Sequence, residues 1–163
     1  MIITLDPWEY EWATLVGVRR FTANWNKQDA KHYDPTRMED NRTAQVAGAV
    51  CELAVAKATN KYWAGTAWAG ADHDKEKHRA DVGTNIEVKR VRTKNAVAVR
   101  QKQVGQGLFL FAARAIEPEF RQVEILGWID YDTAWALGED SEFHQTKYLS
   151  LSELNKLVDK GNG

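Results

Sequence analysis

The feature that most constrains the fold is an uninterrupted apolar run, Leu108-Phe109-Leu110-Phe111-Ala112-Ala113. A strand that is apolar at every position has both faces buried, so it requires packed layers above and below it. Residues 122 to 129 (Gln-Val-Glu-Ile-Leu-Gly-Trp-Ile) are predicted to form a second central strand. Two shorter strands are predicted at 96–99 and at 148–149, the latter as a possible edge strand. The sequence therefore predicts a sheet whose two faces are both covered.

Helices are predicted before and after these strands. Asp6 as N-cap and Pro7 at the first helical position begin a helix in which Trp8 and Trp12 are expected to be core residues. A second helix, capped by Asn41 or Thr43, is predicted to run to about residue 59 with an apolar face of small residues.

Two further helices are predicted near the C-terminus. Asp132-Thr133 is expected to cap a short helix at 134–137. Ser150 or Ser152, with Glu153 in the first turn, is expected to start a last helix ending near residue 160. The element order predicts an α/β fold, a three-layer-like sandwich with a mixed central β-sheet flanked by helices.

Length and composition fit one ordinary globular domain. The chain has 163 residues, with a core expected at about 41–158 and an N-terminal helix and loop at 1–40. Segments 24–40 and 64–80 are predicted to be loops, and the second carries a dense charge cluster that makes it a candidate to contact a substrate. No apolar run approaches the roughly 20 residues that span a bilayer. Cys51 is the only cysteine, which excludes an intrachain disulfide and fits a reducing cytoplasm.

The segment Asp81-Val82-Gly83-Thr84-Asn85-Ile86-Glu87-Val88-Lys89 predicts a functional site. Its β-branched residues and its turn residues predict a hairpin with a three-residue loop, in which Val82 faces Ile86 and Asp81 faces Glu87. Lys89 lies on the same face as Glu87, because side chains alternate along a strand. Opposed carboxylates destabilise a strand pair, and a divalent cation between them would remove that penalty. The alternative is an exposed hairpin whose three charges are simply solvated.

Two other features bear on this choice. Glu52 lies next to the apolar face of the second helix, so it points either to water or to a cation or base at the sheet edge. From 89 to 102 the charged residues are all basic, which suits a polyanionic substrate, although a solvated strand pair would look the same. These basic residues are Lys89, Arg90, Arg92, Lys94, Arg100 and Lys102.

Taken together, this pattern resembles the PD-(D/E)xK nuclease superfamily, which includes restriction endonucleases and archaeal-type Holliday junction resolvases. Glu52 matches the acidic residue of the helix that precedes the core sheet, Asp81 matches the aspartate of the first motif strand, and 87–89 match the ExK triplet. Residues 124–129 and 148–154 are similar to the tail of small phage and mobile-element nucleases of this type. The resemblance covers roughly 43–158. One departure is that Ala80, not proline, precedes Asp81.

The resemblance implies a Mg²⁺-dependent deoxyribonuclease, with Mn²⁺ able to substitute. Asp81, Glu87 and the backbone carbonyl of Val88 would hold the metal, Glu52 would orient a water or help to hold a second ion, and Lys89 would stabilise developing charge. The remaining basic residues and two glutamines would contact DNA phosphates: Arg90, Arg92, Lys94, Arg100, Lys102, Gln101 and Gln103. Either Gln101 or Gln103 could fill the place of the glutamine that some members carry beyond the lysine.

Several alternatives stay open at this stage. The chain could be an endonuclease on duplex or branched DNA, an exonuclease, a catalytically silent DNA-binding module of the same fold, or a structural protein that presents its tryptophans and acidic C-terminal part to a partner. A homodimer is possible, because duplex cleavage needs two active centres. The expected location is the cytoplasm, and the host-cell cytoplasm if the chain is phage-encoded.

Overall fold

The computed structural model describes residues 1–25, 39–67 and 79–158. Most of the predicted loop at 24–40 and most of the charge cluster at 72–79 lie outside these residues, as does the end of the predicted last helix. Within the described parts of the chain, no helix is both long enough and apolar enough to cross a membrane.

Two long helices form one outer layer. Helix α1 (Pro7–Ala23) begins at Asp6 as predicted, and the Asp6 backbone N–H donates to Glu9 Oε2 at 2.7 Å. Helix α2 (Asn41–Thr59) packs along α1. Gly17 of α1 allows this contact, because a Cβ there would lie 2.4 Å from the Val46 Cα. Most of the small residues predicted to face the sheet are buried, and α2 packs against all four strands of the central sheet.

The central layer is a four-stranded mixed sheet. Its order is β1 (Ile2–Thr4), β5 (Gln122–Asp130), β4 (Phe109–Ala115) and β2 (Ile86–Arg90). Strands β2 and β4 run parallel, whereas the other neighbours are antiparallel. The predicted strand at 122–129 is therefore central, and β1 at the N-terminus is a strand that the sequence pattern did not indicate.

The remaining strands form a second sheet rather than extending the first. Its order is β3 (Ala96–Arg100), β7 (Thr146–Ser150) and β6 (Glu139–Asp140). Helix α3 (Tyr131–Leu137) connects the two sheets and contacts strands of both. The predicted edge strand at 148–149 is wrong in its position, because β7 lies in the middle of this second sheet. The structure is thus a mixed α/β fold with two sheets instead of one central sheet.

The apolar run at 108–113 is buried on both faces, as predicted. Phe111 and Ala113 of β4 belong to the core shared with α1 and α2, whereas Leu110 and Ala112 belong to the core shared with the second sheet and α3. The N-terminal segment contributes to the core shared with α1 and α2 through Leu5, Ala13 and Val16. The central sheet therefore lies between two packed layers, and its edge strand β2 borders both.

The predicted C-terminal helix is wrong over the described residues. Leu151–Glu153 form a single 3₁₀ turn, after which Asn155 pairs with Trp128 through two backbone hydrogen bonds of 2.9 Å. Gly127 permits this close approach, because a Cβ there would meet the Asn155 carbonyl oxygen at 2.6 Å. Asn155 thus pairs with β5 beside a β-bulge, and its backbone groups are no longer available for hydrogen bonds within a helix.

Three other local predictions are also corrected. Asp40, rather than Asn41 or Thr43, caps α2 by accepting the Thr43 N–H at 2.8 Å. Asp130 caps α3 in the same way, because its side chain accepts the Thr133 N–H at 2.9 Å. The helix therefore begins earlier than the cap predicted at 132–133. Trp8 is 62% exposed and stacks on the outer side of Trp12, so only Trp12 packs against the core.

Candidate active site

The hairpin at the candidate site has the predicted register around its loop. Val82 and Ile86 exchange two backbone hydrogen bonds of 3.1 and 3.2 Å across the three residues Gly83, Thr84 and Asn85. Gly83 has a φ of +57° and its N–H donates to the Tyr62 carbonyl at 2.8 Å. A left-handed residue here explains why glycine is the residue that allows the tight turn.

Asp81 does not lie opposite Glu87 as predicted. The backbone pairing stops at Val82, and Asp81 Oδ2 instead accepts the Val88 N–H at 2.8 Å. The carboxylate thus takes the place of a missing ladder partner on the outer edge of β2. Because the N–H and C=O of one strand residue point the same way, the Val88 carbonyl also faces this edge. The two oxygens predicted to bind a metal, from the Asp81 carboxylate and the Val88 carbonyl, therefore lie on one side of β2.

Glu87 is held by two donors on one oxygen. Lys89 Nζ lies 2.6 Å from Glu87 Oε1, and Gln103 Nε2 donates to the same Oε1. The acidic residue and the basic residue of the triplet, Glu87 and Lys89, are therefore directly paired, as expected for residues on one face of a strand. Of the two candidate glutamines, Gln103 is the one that reaches Glu87, whereas Gln101 is exposed. The 3₁₀ turn at 101–103 explains this, since it directs the two side chains to different sides.

Glu52 does not point to open water. Of the two environments weighed from the sequence it has the second, a cation beside the edge of the sheet, and that cation is Arg20. The Glu52 carboxylate accepts both ends of the Arg20 guanidinium at 2.8 Å and the Trp63 indole N–H at 2.8 Å. The side chain is 12% exposed, so this is a largely desolvated, forked ion pair. Arg20 also donates its Nε–H to the Thr66 carbonyl at 2.9 Å, which fixes the guanidinium in place.

One cavity of about 350 Å³ brings these groups together. It is lined by three carboxylates, four cationic side chains and several amides and small residues from α1, α2, the hairpin and the 3₁₀ turn. The charged members are Glu52, Asp81, Glu87, Arg20, Arg79, Lys89 and Lys102, and the amides are Asn24, Gln45 and Gln103. All four residues predicted to be catalytic therefore face the same polar cavity at the edge of β2.

Asp81 has the least favourable electrostatic surroundings of the three acids. Burial, followed by the nearby carboxylates of Glu52 and Glu87, raises the pKa of Asp81 well above its ordinary value. Burial disfavours the Lys89 ammonium, but Glu87, Tyr131 and Asp81 together outweigh this effect and raise the lysine pKa above its usual value. Lys89 thus stays charged beside Glu87, whereas Asp81 gains from any further positive charge placed in the cavity.

The basic residues predicted to contact DNA are spread over the surface. Lys102 lines the cavity together with Lys89. Arg90 is instead paired with both oxygens of Glu39, and Arg92 bonds Glu117 Oε1 at 3.1 Å. Two more of these residues have protein partners: Lys94 lies over the Tyr148 ring, and Arg100 donates its backbone N–H to the Tyr131 hydroxyl.

The donor set is compatible with a hard divalent cation. Among residues 1–25, 39–67 and 79–158, no group of three or more His, Cys, Asp and Glu side chains is arranged to hold a metal. Mg²⁺ does not need such a group, because it binds through one or two carboxylates and keeps several waters. Asp81, Glu87 and the Val88 carbonyl supply oxygen ligands only, which is the chemistry Mg²⁺ and Mn²⁺ prefer.

Three residues that hold the side chains of this site in place were not predicted from the sequence. Arg20 and Trp63 hold Glu52 from positions 32 and 11 residues away, and buried Tyr131 donates to Gln103 Oε1 at 2.8 Å. The only sequence signal for them is a buried acid that requires a partner. Comparisons with known proteins add no relative, since no protein-family model, no curated protein and no solved structure matches the chain.

Proposed function

We propose that this protein is a Mg²⁺-dependent deoxyribonuclease, an endonuclease that acts on duplex or branched DNA by a PD-(D/E)xK mechanism. The observation that carries the proposal is that Asp81, Glu87 and Lys89 line one cavity with Glu52. The carboxylates can hold a metal ion for phosphodiester hydrolysis, and the lysine beside them can stabilise negative charge on the phosphate. The same residues scattered over a surface would carry no such meaning.

Asp81, Glu87 and the Val88 carbonyl would hold the metal, and Mn²⁺ would substitute for Mg²⁺. When bound, the ion supplies Lewis acidity and neutralises charge on the scissile phosphate. The raised pKa of Asp81 supports this assignment, because a carboxylate that is repelled by two others gains most from a cation. Glu52 has a supporting role in this proposal, since Arg20 and Trp63 already bind both of its oxygens.

Lys89 provides the positive charge nearest to the reacting groups. Its Nζ is fixed 2.6 Å from Glu87 and its side chain is 22% exposed, so the ammonium is directed into the cavity with little solvent around it. A charge that is already oriented costs no reorganisation when negative charge develops on the phosphate oxygens. Lys89 also holds a proton that can pass to a departing oxygen.

The DNA backbone would approach along the cationic rim of the cavity. Arg79 and Lys102 line the cavity and attract phosphates without reading bases. Gln101, Lys94 and Arg100 extend this surface in the proposal, while Arg90 and Arg92 would have to exchange their glutamate partners to contact DNA. Cleavage of a duplex by one such centre per chain favours a homodimer.

The test is cleavage of a supercoiled plasmid and of a panel of single strands, duplexes, flaps and four-way junctions with Mg²⁺ or Mn²⁺. Asp81→Ala, Glu87→Ala and Lys89→Ala should each lower the cleavage rate at least about 10²- to 10³-fold, because each removes a group that acts on the transition state. Lys57→Ala is the matched control, since Lys57 pairs with Glu9 at 2.8 Å outside the cavity. Full activity in all three cavity variants would refute the assignment, and nicking of closed circles separates an endonuclease from an exonuclease.

A catalytically silent DNA-binding module is the second candidate. It is favoured by the internal neutralisation of two acids, since Glu52 is paired with Arg20 and Glu87 with Lys89. Such a module would bind DNA with the salt dependence of several phosphate contacts and cleave nothing with either metal. Gel-shift titrations run alongside the cleavage panel distinguish the two candidates.

A further inference from the structure

Tyr131 connects the candidate site to the hydrophobic core between the central sheet, the second sheet and α3. It is fully buried at the start of α3, and its backbone N–H donates to the Leu108 carbonyl at 2.9 Å. Its hydroxyl accepts the Arg100 backbone N–H at 2.9 Å and lies 2.8 Å from Gln103 Oε1. The backbone N–H, the ring and the hydroxyl of Tyr131 are therefore all held in place by the fold.

These contacts determine which way every proton points. A backbone N–H can only donate, so the Tyr131 oxygen accepts from Arg100 and has its single proton left for Gln103. Gln103 must then turn its carbonyl oxygen to Tyr131 and its NH₂ group to Glu87. The reverse orientation would place an amide oxygen against the Glu87 carboxylate and an NH₂ group against the tyrosine proton, so both contacts would be repulsive.

The result is an ordered relay from Arg100 through Tyr131 and Gln103 to Glu87. Gln103 and Lys89 both donate to Glu87 Oε1, which keeps these two donors off the other oxygen, Oε2. Gln103 is only 7% exposed, so water does not readily replace it in this role. A carboxylate held at one oxygen presents the other in a fixed direction.

We propose that Tyr131 is a positioning residue that, through Gln103, fixes the Glu87 carboxylate so that Oε2 is presented to a divalent cation. The cation rests on the proposed function, whereas the relay itself does not. Hydrogen bonds that orient a metal-binding side chain from outside are typically worth about 10- to 100-fold in metal affinity. Loss of the Tyr131 hydroxyl should therefore weaken metal binding by about that factor, although Tyr131 itself does not line the cavity.

The first experiment titrates Mn²⁺ alone into the full-length, DNA-free protein and follows free Mn²⁺ by electron paramagnetic resonance. Tyr131→Phe should raise the Mn²⁺ dissociation constant about 10-fold or more. Tyr10→Phe is the matched control, because its hydroxyl donates to the Glu119 carbonyl at 2.6 Å away from the cavity. That variant should bind Mn²⁺ as the unmodified protein does. Thermal unfolding of each variant confirms that the titrations are run on folded protein.

A second experiment requires neither metal nor DNA. The side-chain NH₂ signals of Gln103 in ¹H–¹⁵N spectra should be well separated and slow to exchange, and Tyr131→Phe should move them toward the values of exposed glutamines. Gln103→Met provides a further variant that keeps the tyrosine. If Tyr131 acts through Gln103, the double variant binds Mn²⁺ no more weakly than Gln103→Met alone.

The outcomes separate this inference from the proposed function. Unchanged Mn²⁺ affinity and unchanged Gln103 signals in Tyr131→Phe would overturn the positioning role, even if the protein cleaves DNA. Absence of Mn²⁺ binding in the unmodified protein would overturn it as well. Weaker Mn²⁺ binding in Tyr131→Phe, with no cleavage by the unmodified protein, would support the positioning role and refute the nuclease.

Discussion

Replacing Asp81 by asparagine should stabilise the metal-free protein at neutral pH. Burial and the carboxylates of Glu52 and Glu87 raise the pKa of Asp81, so its charged form is unfavourable in the folded state. Asparagine has the same shape and keeps an oxygen that can accept the Val88 N–H, now at 2.8 Å. The substitution therefore removes the repulsion and retains the hydrogen bond.

The expected gain is about 1–2 kcal/mol, within the roughly 0.5–2 kcal/mol that single stabilising substitutions commonly contribute. For a chain of this size, that corresponds to an increase in Tm of about 2–8 °C. The sign of the pH dependence follows from the raised pKa of Asp81. Between the ordinary aspartate pKa of about 3.9 and the raised folded value, the folded state holds more protons than the unfolded state, so stability falls as pH rises. The difference between Asp81→Asn and the unmodified protein should thus be small near pH 4 and grow as pH increases.

The assay is urea and thermal unfolding from pH 4 to pH 8 in EDTA, repeated with Mg²⁺. At ten times its dissociation constant, Mg²⁺ should add about 1.4 kcal/mol to the unmodified protein and little to Asp81→Asn. Asp40→Asn is the control of opposite sign, because the Thr43 N–H lowers the pKa of the exposed Asp40 carboxylate and its charge is stabilising. An Asp81→Asn variant that is no more stable than the unmodified protein at pH 7–8, with a difference that does not vary with pH, would refute this electrostatic reasoning.

Three further predictions concern the fold and the cavity rim. Arg20→Met should lower the free energy of unfolding by about 3–5 kcal/mol in urea titrations, because it leaves Glu52 buried without its cation. Gly127→Ala should cost at least about 1–3 kcal/mol and speed amide exchange at Asn155, since Gly127 has a φ of +148° and no room for a Cβ. Lys102→Ala should lower the slope of log affinity against log salt for DNA by about one, because it lines the cavity as a phosphate contact.

The elements that the sequence predicted well depend on local patterns. The strand at 109–115 follows from continuous apolar residues, and the hairpin loop at 83–85 follows from its turn residues. Both signals depend on residues that are neighbours along the chain. The N-terminal strand at 2–4 has too few residues for a pattern, and its place in the sheet depends on pairing with β5 more than a hundred residues later. Two sheets instead of one could not be distinguished from strand patterns alone.

The site shows the same division between local and distant information. Glu87 and Lys89 are two residues apart on one strand, so their contact was predictable from the alternation of side chains. The contacts of Glu52 with Arg20 and of Gln103 with Tyr131 join separate elements, and no local pattern specifies them. The choice between Gln101 and Gln103 likewise depended on the direction of a 3₁₀ turn that only the folded chain defines.

The arrangement of charges in the cavity indicates where a cation would be held most tightly. Glu52 shares a forked ion pair with Arg20, and Glu87 receives Lys89, so two of the three acids have a protein cation in direct contact. Asp81 accepts a backbone N–H, and burial together with the field of the other two acids raises its pKa well above the ordinary value. A cation at Asp81 therefore gains attraction without breaking either existing ion pair. Because the other two acids are already paired, Asp81 is the carboxylate at which a cation would gain most, and the proposed function places the reacting phosphate beside it and Lys89.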